Sequence, residues 1–283
     1  MKHIVSFSGG KDSTAMVLRL IEEDWPLDEI VFFDTGWEFP QMYNHINMFE
    51  QYIGRPITWL HPRISFDRLM CTKPIVRRKK SCPMHGRIYR YGNGWPSFLS
   101  RWCTREKISV IDQYCGNALR YVGIAADEPK RINMRLYPLV EWGMTEADCL
   151  KMCCNHGFDW GGLYGHFGRV SCFCCPLKGL DDCRTLRKYF SPLWRRMIEM
   201  GDNVHSPKGR QFKHGKTIRD LDARFAQEDE RARLRLGGVL PAMTVWARER
   251  VKAEEARCPT QCREKCRKRR ICGKVETKTE VWK

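Results

Sequence analysis

The sequence has no long hydrophobic run, although 42% of its 283 residues are hydrophobic. No apolar stretch reaches the roughly 18 to 20 residues that a membrane-spanning helix needs. No signal peptide is visible either, because the first strand candidate already starts at residue 2 or 3. The sequence therefore predicts a cytoplasmic protein with no membrane partner, built as one domain of about 200 residues with an appendage.

Acidic residues are scarce relative to basic ones. The chain has 33 Asp and Glu against 50 Lys and Arg, a formal net charge of +17 and a pI near 9.4. Such an excess of positive charge attracts polyanions. We therefore expect nucleotides, nucleic acid (DNA or tRNA), or both as partners, with a merely basic enzyme as the alternative. The composition does not indicate an oligomeric state.

Buried-strand patterns alternate with helical patterns along the first half of the chain. Strands are predicted at 2–7, 30–33, 57–60 and 119–124, and helices at 12–23, at 40–53 and after Thr145 as N-cap. This alternation predicts an α/β fold with a doubly wound parallel sheet, which binds ligands beyond the carboxyl ends of its strands.

Two regions depart from the alternation. Residues 71–102 are rich in Arg, Gly and aromatics and have weak periodicity, which indicates an insertion or lid within a domain at 1–180. Residues 181–283 are predicted to form a basic, helical C-terminal region with helices at 181–200 and 216–235 and a cysteine-rich tail. In the insertion, Tyr89, Tyr91 and Trp95 are candidates for stacking on bases, with ordinary lid packing as the alternative.

The sequence SGGKDS, residues 8–13, follows the first strand. It is neither a Walker A motif nor a GxGxxG fingerprint. A glycine pair after a strand lets the backbone turn tightly and point N–H groups at one anion, and the following helix adds its positive N-terminus. Lys11 would add a full charge, and Asp12 would orient Mg²⁺ or the loop. The alternative is a glycine turn that binds nothing.

Two other strand ends carry polar motifs, Asp34-Thr35-Gly36-Trp37-Glu38 and Gly123-Ile124-Ala125-Ala126-Asp127-Glu128. SGGKDS after a strand resembles the pyrophosphatase loop of the PP-loop ATP pyrophosphatase superfamily, which includes ATP-sulfurylase small subunits, tRNA thiolases, phosphoadenosine phosphosulfate (PAPS) reductases and DndC-type enzymes of DNA phosphorothioation. The other two motifs resemble the DTG-x-E and G-I-x-x-D-E stretches of PAPS reductase-like members. The resemblance covers about residues 1–180.

This resemblance implies an adenine nucleotide alpha hydrolase-like fold with ATP and Mg²⁺ as ligands. The implied catalytic residues are Lys11, Asp12 and Asp127, and Asp34 and Glu38 would hold the ribose or Mg²⁺. The implied phosphate-binding residues are Ser8, Gly9, Gly10, Lys11, Asp12, Ser13, Asp34, Gly123, Lys130 and Arg131.

The chain is rich in cysteine, with 15 residues, and in a cytoplasmic protein cysteine clusters indicate metal or redox sites before disulfides. Cys172 and Cys175 have CxxC spacing, with Cys174 as an extra thiol. Iron–sulfur members of the reductase family carry a pair of adjacent cysteines in addition to the CxxC. In this chain the first cysteine of that pair is replaced by Trp102, so only Cys103 matches. The resemblance implies a [4Fe–4S] cluster on these residues, with Cys174, Cys183 or no side chain as the fourth ligand. Zinc and the absence of metal are the alternatives.

The remaining cysteines fall into smaller groups. A second metal site, for Zn²⁺ or another cluster, is a hypothesis for the basic tail, with a reduced tail as the alternative; its residues are Cys258, Cys262, Cys266 and Cys272. Core positions are favoured for Cys149 and Cys153, which lie near Cys154 and His156, and for Cys115. Metal binding is the weaker interpretation of Cys71, Cys82 and His85.

The function that these features favour is ATP-dependent activation of an acceptor, with release of pyrophosphate, followed by sulfur transfer to nucleic acid. The sulfur donor would be a partner such as a cysteine desulfurase. Three alternatives stay open: a PAPS or APS reductase, a non-catalytic ATP-gated nucleic-acid-binding component of a phage or defence system, and a sulfate adenylyltransferase small subunit. A reductase would carry an E-C-G-x-H tail motif, whereas Cys272-Gly273 here lacks its Glu and His. The cysteine set is unexpected in the adenylyltransferase.

Overall fold

The computed structural model describes residues 1–132 and 135–235. The first half of the chain forms, in order, β1 (His3–Phe7), α1 (Lys11–Glu22), β2 (Glu29–Phe33), α2 (Pro40–Ile53), β3 (Ile57–Leu60), α3 (Phe66–Cys71), β4 (Pro74–Val76), β5 (Ile88–Tyr91), α4 (Trp102–Cys115) and β6 (Leu119–Val122). After β6 follow α5 (Pro138–Glu141), α6 (Glu146–Asn155), α7 (Leu163–His166), α8 (Leu180–Tyr189), α9 (Ser191–Asp202), β7 (Gln211–Lys213), β8 (Lys216–Thr217) and α10 (Ile218–Arg235), with single 3-10 turns at Pro129–Arg131 and Trp160–Gly162.

The central sheet has four parallel strands in the order β3-β2-β1-β6. Its strands are short and mostly apolar, as expected for strands that are covered on both faces. The chain runs outward from β1 through β2 to β3 and then returns to the other side of β1. Because crossovers between parallel strands are right-handed, this reversal puts the connecting helices on opposite faces. The predicted doubly wound α/β fold is confirmed, and its switch point lies between β1 and β6.

The predicted elements of the first half match the structure closely. Helix α2 has the predicted bounds, because Pro40 starts it and Gly54 ends it in the left-handed conformation. Thr145 caps α6 in a capping box with Asp148, as predicted. The fourth strand is shorter than predicted and ends at Val122.

The prediction of one helix at 181–200 is wrong. The structure has two helices there, α8 and α9, which meet at Phe190. Pro192 lies in the first turn of α9, where its missing N–H costs no hydrogen bond. The helix predicted at 216–235 begins at Ile218, after the short strand β8.

The insertion at 71–102 is an ordered part of the fold. Strands β4 and β5 pair in an antiparallel hairpin, and the segment after it packs on the C-terminal region. Trp95 is buried there, with its ring 5.0 Å from that of Phe212. The hypothesis that Trp95 stacks on bases is therefore wrong, whereas Tyr89 and Tyr91 are exposed. One apolar core runs from β1 to α10. The region predicted as 1–180 and the described part of the predicted C-terminal region, residues 181–235, therefore share it.

His45 of α2 lies at the centre of this core, next to the rings of Phe49, Phe158 and Trp160. Its Nε2 is 3.1 Å from Thr14 Oγ1. Burial lowers the pKa of His45 to about 3, so the folded protein holds this ring neutral.

We predict that protonation of His45 drives part of the acid denaturation of this protein. The unfolded chain takes up a proton near pH 6.5 and the folded chain does not, so stability is lost as pH falls from about 6.5 towards 3. Between pH 6 and pH 5 this contributes about 1 kcal/mol to the loss of unfolding free energy. Urea unfolding at both pH values is the measurement.

The control for this prediction is the exposed His205. His45→Phe should flatten the pH dependence, and His205→Phe should leave it unchanged. Equal slopes in wild type and His45→Phe would contradict the prediction.

Candidate functional site

The glycine loop, residues 8–13, connects β1 to α1 and includes the first turn of that helix. It lies at the switch point of the sheet, which is between β1 and β6. Gly9 has a φ of 74°, and a Cβ there would lie 2.6 Å from the sulfur of Met42. Only glycine fits this position without strain. Ser8 Oγ lies 3.0 Å from Ser13 Oγ, and Ser13 Oγ donates to Gly10 O at 3.0 Å. The loop is thus closed by its own hydroxyls at the start of a helix, where an anion is favoured.

Residues far along the chain hold this loop in place. Trp160 Nε1 donates to Gly9 O at 2.7 Å, and the backbone N–H of Lys11 donates to Tyr164 Oη at 2.8 Å. Cys153 Sγ donates to Lys11 O at 3.3 Å. Sequence analysis missed Trp160 and Tyr164, since they lie about 150 residues from the loop and no local motif joins them to it. The only signal was the cluster of aromatic and glycine residues at 158–168.

The side chain of Lys11 lies between two carboxylates. Its Nζ is 2.7 Å from Asp12 Oδ1 and 2.6 Å from Glu146 Oε2. Burial disfavours the charged ammonium, but the two carboxylates outweigh that effect, and the pKa of Lys11 is raised. Burial raises the pKa of Asp12, against the opposing effect of Lys11. Lys11 is therefore a fixed cation at the glycine loop, and Glu146 is a site residue that sequence analysis did not single out.

The end of β6 touches the glycine loop directly. A Cβ at Gly123 would lie 2.9 Å from both the Cα and the N of Ser13, so only glycine permits this approach. Asp127 Oδ1 accepts a hydrogen bond from the backbone N–H of Glu146 at 3.1 Å. Of the residues predicted at this strand end, Gly123 thus contacts the glycine loop and Asp127 contacts the start of α6.

The two cations predicted to meet phosphate differ in their surroundings. Arg131 forms an ion pair with Glu128. Lys130 is exposed and has no carboxylate within 4 Å in the part of the chain that the structure describes.

The acidic turn, residues 34–38, lies beyond the end of β2. Asp34 Oδ1 accepts hydrogen bonds from Gly36 N at 2.8 Å and from Tyr43 Oη at 2.7 Å. Glu38 Oε1 accepts from Thr35 Oγ1 at 2.9 Å and from Cys172 Sγ at 3.5 Å. Burial raises the pKa of Glu38, in spite of the opposing charge of Lys107. The predicted contact of this turn with ribose or Mg²⁺ stays a prediction.

The cysteine loop, residues 171–178, joins the acidic turn to the C-terminal region. The backbone N–H of Phe173 donates to Trp37 O at 2.9 Å, which brings Cys172 against Glu38. Burial raises the pKa of Cys172 and of Cys174 well above the usual range for a thiol. Burial is also the main cause that raises the pKa of Cys103, with a smaller contribution from Cys175.

The predicted metal ligands are brought near one another but do not form a closed site. In residues 1–132 and 135–235, no group of three or more His, Cys, Asp or Glu side chains has the geometry to hold a metal ion. An iron–sulfur cluster takes several thiolates at once, and these thiols do not meet that need as they are placed. The [4Fe–4S] cluster stays a prediction from the resemblance. Mg²⁺ needs only one or two carboxylates, because it keeps several waters.

The other cysteines lie as follows. Cys149 and Cys153 are buried between α6 and α1, and Cys115 is buried at the end of α4, so all three occupy the core positions that were predicted. The predicted tail site at Cys258, Cys262, Cys266 and Cys272 lies outside the described residues.

The fold and the site define a class of protein: an α/β protein with a glycine loop at the switch point of its parallel sheet. Residues 2–79 match the family model of the phosphoadenosine phosphosulfate reductase domain. The match covers β1, the glycine loop and the acidic turn, and it confirms the resemblance that these two motifs predict. The motif at 123–128 lies outside the matched residues. The matched domain is that of a superfamily of nucleotide-binding enzymes.

Two curated relatives extend the similarity beyond that domain. The chain is 23% identical over 210 residues to an uncharacterized protein of Methanocaldococcus jannaschii, which covers 68% of this chain and 40% of the relative. It is 29% identical over 155 residues to the uncharacterized nin region protein ORF290 of Escherichia phage lambda, which covers 47% of this chain and 51% of that protein. The chain thus matches about half or less of the length of these relatives. No helix among the described residues is long and apolar enough to cross a membrane.

Proposed function

We propose that this protein binds ATP at the glycine loop and uses it to activate an acceptor, with release of pyrophosphate, for sulfur transfer. The acceptor that we propose is nucleic acid, as in DNA phosphorothioation or RNA thiolation. The observation that carries the proposal is the position of the glycine loop. It places a helix N-terminus, two hydroxyls and the ammonium of Lys11 at the one edge of the sheet where doubly wound folds bind nucleotides.

In this mechanism the glycine loop binds the β- and γ-phosphates. An acceptor oxygen attacks the α-phosphorus, the bond from that phosphorus to the bridging oxygen of the β-phosphate breaks, and pyrophosphate leaves. Lys11 stabilises the charge that develops on the leaving group. Its ammonium moves from Glu146, which is partly exposed, towards the phosphates while Asp12 keeps it charged.

Mg²⁺ supplies further charge neutralisation on the phosphates when it is bound. Carboxylates suited to it by chemistry are Asp12 at the glycine loop and Asp34 or Glu38 at the acidic turn.

The second half-reaction replaces the adenylated oxygen by sulfur. A sulfide-level donor attacks the activated atom, and AMP leaves with the oxygen. The cysteine loop supports this part of the proposal, since it brings Cys172 to 3.5 Å from Glu38 at the same edge of the sheet. The hypothesis of an iron–sulfur cluster is tested by iron content and by visible absorption that dithionite bleaches, and no step above depends on it.

A sulfonucleotide reductase is a second candidate, and the domain match over residues 2–79 favours it. Such an enzyme would bind PAPS or APS and would reduce its sulfonyl group. The nucleotide that is consumed separates the two candidates.

The test of the proposed function is product analysis with α-labelled ATP. With sulfide and a mixture of single-stranded DNA and RNA, we expect labelled AMP and one pyrophosphate per AMP. Formation of ADP, or consumption of PAPS with sulfite release and no turnover of ATP, would contradict the proposal. Binding of ATP without any turnover in the presence of acceptor would instead favour a nucleotide-gated binding protein.

A further inference from the structure

The basic hairpin, residues 73–91, is the part of the described chain with the most one-sided charge. Residues 68–105 contain no Asp or Glu. Their ten cations are Arg68, Lys73, Arg77, Arg78, Lys79, Lys80, Arg87, Arg90, Arg101 and Arg105. The segment therefore supplies much of the excess charge of the protein.

The cations of the hairpin have no carboxylate partners among residues 1–132 and 135–235. No Lys or Arg between residues 73 and 91 lies within 4 Å of a carboxylate in the described part of the chain. The arginines of the C-terminal helices, in contrast, do form ion pairs. Arg184 pairs with Glu228 and Arg187 pairs with Asp222, each at 2.8 Å. The positive charge of those helices is largely neutralised within the fold, whereas no described carboxylate neutralises that of the hairpin, which can therefore attract a polyanion.

The hairpin is ordered and carries exposed aromatic rings. Arg77 N donates to Arg87 O, and Gly86 N donates to Arg77 O, each at 3.0 Å. The pairing skips one residue of β5, because Ile75 pairs with Arg90 and Val76 with Ile88. Tyr89 is therefore the extra residue of a bulge, a feature that re-aims a side chain.

The exposed fraction is 45% for Tyr89 and 49% for Tyr91. The guanidinium of Arg77 lies 4.5 Å from the centre of the Tyr89 ring. Exposed rings beside unpaired cations are what proteins use to bind single strands, since the rings stack on bases while the cations contact phosphates. A duplex hides the faces of its bases and offers the rings nothing to stack on.

The base of the hairpin is tied to the candidate site. Gly94 N donates to Met70 O at 2.9 Å, and Trp37 Nε1 of the acidic turn donates to Asp67 Oδ1 of α3 at 2.8 Å. Helix α3 thus joins the hairpin to the acidic turn. The acidic turn itself lies beyond the carboxyl end of β2, at the edge of the sheet where the proposed reaction takes place.

We propose that the basic hairpin is the binding site for a single-stranded nucleic acid, held by phosphate contacts from its cations and by stacking on Tyr89 and Tyr91. The proposal rests on the proposed function, because it identifies where the acceptor of that reaction binds.

The test is binding of labelled single-stranded oligonucleotides to the full chain, without nucleotide, at several salt concentrations. The hairpin variant replaces Arg77, Arg78, Lys79 and Lys80 with Gln. The matched control removes the same charge from four exposed cations that have no carboxylate within 4 Å among the described residues: Lys2, Lys151, Arg195 and Lys216. Cations elsewhere in the chain contribute equally to both variants.

We expect the hairpin variant to bind at least about tenfold more weakly than the control. Its slope of log affinity against log salt should fall by about 3, since each phosphate contact with a single strand contributes about 0.7. Tyr89→Ala and Tyr91→Ala should each weaken binding about tenfold and leave the salt slope unchanged.

Three outcomes would overturn the proposal: equal weakening by the hairpin and control variants, binding of duplex DNA as tight as that of single strands, or unchanged affinity in both tyrosine variants. Calorimetric titration of each variant with ATP, without oligonucleotide, reports the nucleotide site separately. Failure of the hairpin proposal with intact ATP binding is thus distinguishable from failure of the proposed function.

Discussion

Replacement of Lys11 by Met is expected to slow the cleavage of ATP to AMP and pyrophosphate by about 10²–10³-fold. That is the usual cost of removing one group that stabilises developing charge in a transition state. The methionine keeps most of the apolar stem of the side chain and removes the ammonium with its charge and its hydrogen bonds. Pyrophosphate release at saturating ATP is the measurement.

The matched control is Glu146→Gln. This variant removes one of the two ion pairs of Lys11 and leaves its ammonium at the glycine loop. If Lys11 only fastened α1 to α6, both variants would lose turnover and stability together. Our account predicts that Glu146→Gln keeps turnover within about tenfold of wild type, because Asp12 still holds the ammonium. Equal losses in the two variants would contradict a phosphate-binding role for Lys11.

Replacement of Gly123 by Ala is expected to displace the glycine loop. The new methyl group would meet backbone atoms of Ser13 at 2.9 Å, and a backbone cannot yield as a flexible side chain can. We expect a loss of about 1–3 kcal/mol in the free energy of unfolding. Turnover of ATP should fall about 100-fold, because a shift of about 1 Å in a positioning element has that effect.

Gly168→Ala is the control for crowding at Gly123. Gly168 is exposed, and a Cβ there meets no atom within 4 Å. This variant should stay within about 0.5 kcal/mol of wild-type stability. The measurements are urea unfolding and ATP turnover of both variants. Wild-type stability and turnover of Gly123→Ala would contradict the prediction, because they would show that the glycine loop tolerates a methyl group at this position.

The parallel sheet and the glycine loop could be predicted because their signals are local. β1 is a short apolar run, and Gly9 and Gly10 follow it after a single residue, Ser8. Strand, turn and helix start are therefore all visible within about 15 residues. The N-cap at Thr145 was equally local, since a capping box spans only four residues.

The surroundings of the loop could not be predicted because they come from distant parts of the chain. Glu146 reaches Lys11 across 135 residues, and Trp160 reaches Gly9 across 151. Trp95 was misjudged for the same reason. Its neighbours in the sequence are glycines, arginines and other aromatics, which indicated a lid. The ring on which it packs, Phe212, belongs to the C-terminal region more than 100 residues away. The break at Phe190, in contrast, had a local signal in Pro192, which marks the first turn of a new helix.

The most direct test of the central claim is a calorimetric comparison of ATP, AMP and PAPS binding to the wild-type chain with Mg²⁺ present. If the glycine loop holds the β- and γ-phosphates, ATP should bind at least about 100-fold more tightly than AMP, because most of the charged contacts lie beyond the α-phosphate. Lys11→Met should remove most of that difference. Equal affinity for ATP and AMP, or tight binding of PAPS alone, would contradict the account.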